Sequence, residues 1–126
     1  MAKVVGVGGV FVRAHDVAQL TQWYARVLGI DLNLEAGAIF DRSLGSDYVV
    51  LSFFDQANTY IGDPQRQSVM INYVVDDLDG LLAHLRECGV DHETIQTQPY
   101  GRFSWTTDPE GNRIELWEPS AAETDD

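Results

Sequence analysis

INYVVDDLDGLLAHLRECGV, residues 71–90, carries in one run the signals of a strand, a helix start, a helix and a helix stop. Asp77 is the expected N-cap, and Leu78, Leu81, Leu82 and Leu85 recur at the spacing of one helical face. Gly89 supplies the left-handed position that ends the helix. The same plan occurs earlier in VFVRAHDVAQLTQWYARVLGI, residues 10–30. There Asp16 caps, Gln19 completes a capping box, Leu20, Tyr24, Val27 and Leu28 form the stripe, and Gly29 stops the helix. The chain repeats itself.

After each helix the sequence reads as three short strands. In the first half they are expected at about 31–36, 38–43 and 47–55, with SLGSD (43–47) turning the last pair. In the second half they are expected at about 91–97, 100–107 and 112–118, punctuated by Pro99 and by DPEG (108–111). The fold class that follows is α+β, with two tandem βαβββ modules in a single domain spanning 1–126. Module one covers about 4–56, a connector 57–68, module two about 69–119, and an acidic tail 120–126.

DPEGNRIELWEP, residues 108–119, shows which way the last strand faces. Asp108, Pro109, Glu110 and Gly111 suit a type I turn: Asp first, Pro with its preset φ second, Gly last. Beyond it Ile114 and Leu116 point to one face of the strand, and Arg113, Glu115 and Trp117 to the other. The first face is core. The second places a carboxylate between a cation and a large aromatic.

Composition narrows the partners. The 126 residues suit one ordinary domain, and 44% hydrophobic with 22% charged content is that of a globular protein. Eight Lys and Arg against 20 Asp and Glu give a net charge of −12. Such a surface repels nucleic acid and anionic lipid and attracts cationic ligands. Cys88 is the only cysteine, so neither an intrachain disulfide nor a thiolate cluster can form, and it reads as a small core residue. Lys3 followed by Val4–Val12 has the outline of a signal peptide, but Gly6, Gly8 and Gly9 break it and a strand fits better. No run approaches the roughly 20 apolar residues of a membrane span, and the expected compartment is the cytoplasm.

The paired modules, with WYARVLGI, VVDDLDGLLAHLRECGV and YGRFSWTTDPEGNRIELWEP, resemble the vicinal oxygen chelate superfamily over about residues 4–119. That superfamily includes glyoxalase I, extradiol dioxygenases, and bleomycin and fosfomycin resistance proteins. The resemblance implies half-barrels that form a curved mixed sheet around a cleft, and, by analogy with short members, a homodimer. It also implies metal-ligand positions on the first and last strand of each module, which fall here on Gly9, Ser52, Met70 and Glu115. Glycine has no ligand atom, thioether suits hard ions poorly and neutral Ser is weak, so no metal and no other cofactor is expected. His15, His84 and His92 fall at a helix start, within a helix and after a helix stop, and do not restore a site.

The cleft-facing set by alternation is Phe11, Arg13, Ser52, Phe54, Met70, Asn72, Glu115 and Trp117, with Gly9 beside them. Strand 100–107 adds either Tyr100 and Arg102 or Phe103 and Trp105, according to its parity. Trp23 and Tyr24 read as packing residues on the first helix. Apolar and aromatic walls with a few polar groups are how small-molecule pockets are built. Two functional classes fit. One is a metal-free, bleomycin-resistance-like protein that binds a small cationic or aromatic molecule. The other is a lyase, isomerase or dioxygenase of the same superfamily. In that enzyme Glu115 is the general base or sole remaining metal ligand, and Tyr100 or Arg102 polarises the substrate. A vestigial cleft is a third reading. For Glu115 itself the alternatives are service to a ligand or a structural pairing with Arg13.

Overall fold

The computed structural model describes residues 2–32, 37–41 and 48–120; the turn expected at 43–47, the strand expected at 31–36 beyond Leu32 and the tail beyond Ser120 lie outside the described residues. The fold is α+β, with a mixed sheet, and the chain divides into two compact units. One comprises residues 8–71 and the other residues 1–7 with those from 72 onward.

In the unit of residues 8–71, strands β1 (Val4–Ala14, entering at Gly8), β2 (Ala38–Asp41) and β3 (Tyr48–Asp55) lie in the order β2-β3-β1. The β1 and β3 strands are parallel, and β2 is antiparallel to β3. A parallel pair needs a crossover, and helix α1 (Val17–Leu28) lies on that path. Asp16 is its N-cap, accepting the Gln19 N–H at 3.0 Å, and Gly29 ends it at φ 71°. The register pairs Phe11 with Ser52 and Arg13 with Phe54, so these four share one face. Phe53 lies on the other, where its ring meets Tyr24 of α1 at 5.0 Å.

The expected stripe of α1 needs correction at its end. Leu20 and Tyr24 are half-buried, but Val27 and Leu28 are 48% and 57% exposed, and Thr21 is the buried residue. The packed face follows Val17, Leu20, Thr21 and Tyr24 and stops there.

Arg13 organises the connector. Its Nε donates to the Gln67 carbonyl (3.0 Å), Nη1 to those of Gln56 (3.0 Å), Asn58 (2.6 Å) and Asp55 (3.5 Å), and Nη2 to that of Gly62 (3.3 Å). A guanidinium has five N–H donors in a rigid fork, which suits carbonyls converging from several loop positions. Asp55, Asn58 and Asp63 each accept a backbone N–H two residues on, folding the segment into successive turns. Ile61 is fully buried beneath them.

The unit from residue 72 onward contains the rest of β4 (Val69–Val75), α2 (Leu78–Glu87), β5 (Gln96–Gln98), β6 (Gly101–Thr107) and β7 (Arg113–Pro119), in the order β4-β7-β6-β5. As in the first module, the opening and closing strands pair in parallel: Asn72 stands opposite Glu115, as Phe11 stands opposite Ser52. The expected βαβββ plan is present, although β5 is only three residues long. The expected α2 stripe also forms. Leu78, Leu81 and Leu82 are buried with Val75 and Leu116, and Tyr73, Leu85, Ile95 and Ile114 pack around them. Each such leucine is worth about 1.5–3 kcal/mol when fully buried.

Polar contacts fix the start of α2. The Asp77 carboxylate accepts the Gly80 N–H at 3.1 Å, and Glu118 reaches from β7 to accept the Leu78 N–H at 2.7 Å. Cys88 departs from expectation: it caps the helix C-terminus, is exposed, and lies 3.6 Å from His84 Nε2. At that point the chain turns out of the helix, so the apolar stripe ends with Leu85.

The turn at 108–111 is the expected one, inside a five-residue loop. The Gly111 N–H reaches the Asp108 carbonyl at 2.9 Å, and Asp108 Oδ1 accepts from the backbone of both Glu110 and Asn112. These bonds, led by the backbone N–H of Asn112 and then its side chain, hold the Asp108 carboxyl below its ordinary value of 3.8. A depressed carboxyl contributes stability that is complete above the unfolded pKa and lost as pH falls through the folded one. An NMR titration of Asp108 should therefore show a midpoint below 3.8. Asp108→Asn should remove that part of the acid sensitivity. A midpoint at or above the ordinary value would contradict the turn as described.

Candidate functional site

Glu115 is 2% exposed, and its carboxylate is answered from the strands on either side of β7. Asn72 Nδ2 on β4 donates to Oε1 at 2.5 Å, and Trp105 Nε1 on β6 donates to Oε2 at 3.0 Å. The registers explain why these residues meet: Asn72 and Trp105 are the two cross-strand partners of Glu115. A buried carboxylate is tolerated only when its oxygens are hydrogen-bonded.

The same face carries a row of rings. Phe103 stands opposite Trp117 with centroids 6.0 Å apart and planes 5° from parallel; Trp105 stacks on Phe103 at 6.3 Å and 17°. Tyr100 meets the edge of Phe103 at 5.6 Å, and its carbonyl accepts the Trp117 indole N–H at 3.0 Å. Gly101 allows that seat: a Cβ there would strike the Glu118 carbonyl oxygen and Trp117 Nε1, and its φ of 142° disfavours any side chain. Beyond the row, Arg113 lies over the Trp105 ring at 5.0 Å while paired with Glu93 at 3.0 Å.

The parity left open by the sequence is therefore that of Phe103 and Trp105. Arg102 leaves the set. It stands opposite Glu118 and forms a two-bond ion pair with Asp79 of α2, at 2.9 and 3.1 Å. That pairing lowers the Asp79 carboxyl and raises the Arg102 guanidinium. Tyr100 stays near the rings, in the turn before β6 and half exposed.

Among the other expected site residues, Phe11, Arg13, Ser52, Phe54 and Met70 belong to the unit of residues 8–71. Phe54 contacts Phe11 at 5.6 Å and stacks on Tyr60 at 5.9 Å and 14°. Tyr60 was not expected there; an aromatic next to Ile61 in the polar run QANTYIGDPQ was its only signal. Met70 is fully buried. Arg13 donates to connector carbonyls, and Glu115 accepts from Asn72 and Trp105.

The resemblance to the superfamily implies metal-ligand positions at Gly9, Ser52, Met70 and Glu115. Gly9 offers no donor, Ser52 and Met70 offer weak ones, and both Glu115 oxygens already accept N–H bonds. Among the described residues, no three His, Cys, Asp or Glu side chains are grouped as a metal would require. One polar atom stands out: Asn72 is 4% exposed, and its Oδ1 has no hydrogen-bond partner. A buried acceptor left in that state costs about 1–3 kcal/mol. A separate groove of about 550 Å³ runs beside residues 89–93 and 105–109 and shares only Trp105 with the ring face.

The glyoxalase-like domain family matches residues 9–117 of this chain. The uncharacterized protein YaeR of Escherichia coli (strain K12) is 31% identical over 120 residues, covering 83% of this chain and 89% of YaeR. Methylmalonyl-CoA epimerase from Mycobacterium tuberculosis superposes with a TM-score of 0.63 at 22% identity, covering 96% of this chain and 92% of that one. A glyoxalase/bleomycin resistance protein/dioxygenase superfamily member from Vibrio splendidus 12B01 gives 0.58 at 14% identity, with 94% and 99% coverage. These two structures share the fold with this chain.

Glu115→Gln tests the hub. The amide presents an oxygen to only one of the two N–H donors and turns its own NH₂ toward the other. Chemical denaturation should show a loss of about 1–3 kcal/mol, the cost of a buried donor without a partner. An unchanged midpoint would mean that Asn72 and Trp105 do not both bond the carboxylate.

Proposed function

Because the chain belongs to the glyoxalase-like domain family of the vicinal oxygen chelate superfamily, we propose that it binds a small aromatic or cationic molecule on the ring face around Glu115, with no resident divalent metal. The observation that carries this reading is the stack of Phe103, Trp105 and Trp117 around one buried carboxylate. Flat apolar walls with one fixed polar cluster suit a planar ligand, and aromatic faces also attract cations. The net charge of −12 favours the approach of a cationic ligand. The metal-free part rests on the donor set at Gly9, Ser52, Met70 and Glu115.

An enzymatic role for Glu115 as general base needs a carboxylate oxygen available to a substrate proton. Both oxygens already accept N–H bonds, and the side chain is buried, which favours binding over proton transfer. The working unit in this reading is a homodimer in the cytoplasm. The exposed, uncharged Val4, Val5 and Val7 of β1 support self-association.

Native mass spectrometry of freshly purified protein tests these parts together. The expected species is a dimer of the 14.0 kDa chain that carries a small organic adduct and no metal. A thermal-shift screen of aromatic and cationic compounds should then yield a hit that raises the melting temperature by several degrees at about a hundred times its Kd. Phe103→Leu should abolish that shift. Stoichiometric divalent metal with no aromatic or cationic binder would overturn the reading.

A further inference from the structure

Asn72 is oriented by its neighbour. The amide turns Nδ2 toward Glu115 Oε1 and donates to it at 2.5 Å. The opposite end of the same amide, Oδ1, is then turned away from Glu115. It is buried and has no partner. Buried acceptors are nearly always satisfied, so an empty one asks for an explanation. This acceptor is also strengthened. An amide that donates to a carboxylate is polarised toward its oxygen, and hydrogen bonds in such chains reinforce one another. Trp105 holds the other carboxylate oxygen, so the chain from Trp105 Nε1 through Glu115 to Asn72 Oδ1 is fixed before any ligand arrives.

We infer that Asn72 Oδ1 is the polar anchor of the ligand site, and that the ligand is a planar aromatic compound carrying an N–H or O–H donor. The inference rests on the ring-face reading above and narrows it. Glu115 does not contact the ligand; it positions Asn72 and makes its oxygen a better acceptor. A quaternary ammonium, or a neutral ring without a donor, would leave Oδ1 empty and be disfavoured. A site built to pair a buried polar group rejects analogues that cannot pair it more strongly than a purely apolar site could.

The test uses wild-type protein and four probes with one benzene ring each. Benzamide and benzylamine carry N–H donors, while methyl benzoate and benzyltrimethylammonium carry none. The two cations separate a charged donor from a neutral one. Binding is followed by NMR at the Asn72 side-chain amide and at the indole N–H groups. The expected result is that benzamide, benzylamine or both bind about tenfold or more tighter than the matched donor-free probe, a factor of the size one net hydrogen bond supplies. The Asn72 amide resonances should move with them, and Asn72→Leu should erase the preference. Equal binding of all four probes with the Asn72 amide unmoved would overturn the inference and leave the ring-face reading standing. A crystal structure with an ordered water on Oδ1 that persists beside bound benzamide would overturn it too. If no probe moves the Trp105 or Trp117 indole, the ring-face reading falls, and the inference falls with it.

Discussion

A carboxylate with almost no contact with water must be answered by donors, and Glu115 receives them from both neighbouring strands. That requirement ties β7 to β4 through Asn72 and to β6 through Trp105. It fixes the face on which Phe103, Trp105 and Trp117 emerge, because side chains alternate and a one-residue slip would reverse them all. The opposite face of β7 follows from the same constraint: Ile114 and Leu116 go to the leucines of α2, and Glu118 reaches the first helical N–H. A polar hub on one side and an apolar core on the other thus specify one register.

The two modules use the same parallel pairing for different ends. In the second, the pair Asn72 and Glu115 is polar and buried; in the first, the matching pair is Phe11 and Ser52. Arg13, on the opening strand of the first module, donates to the carbonyls of the connector. An arginine aimed at carbonyls works as a staple for a loop with little regular structure of its own.

Much of this was legible in the sequence because local signals agreed with one another. Asp16, Asp77, Gly29 and Gly89 marked the helix ends, the DPEG turn set the phase of β7, and the leucine stripe located the second core. What escaped was what only long-range register decides. The parity of β6 could not be read because the strand is buried on both faces: Phe103 and Trp105 are covered on one side and Ser104 on the other. Alternation carries no information there. The partners of Glu115 also depend on register, since Asn72 lies 43 positions away in sequence. The carbonyl partners of Arg13 were not legible because a sequence shows charged side chains and not carbonyl oxygens. Val27, Leu28 and Cys88 followed their helical patterns but lie past the points where packing ends.

The most direct measurement of the ring face as a binding surface is a two-dimensional NMR spectrum of the indole N–H groups during titration with an aromatic probe. The chain has three tryptophans, and each reports a different place. Trp105 is bonded to the carboxylate and Trp117 to a carbonyl, while Trp23 stands 43% exposed on α1. The account predicts that the Trp105 and Trp117 signals move together and saturate while Trp23 stays still. Movement of Trp23 alone, with the other two unchanged at saturation, would contradict it.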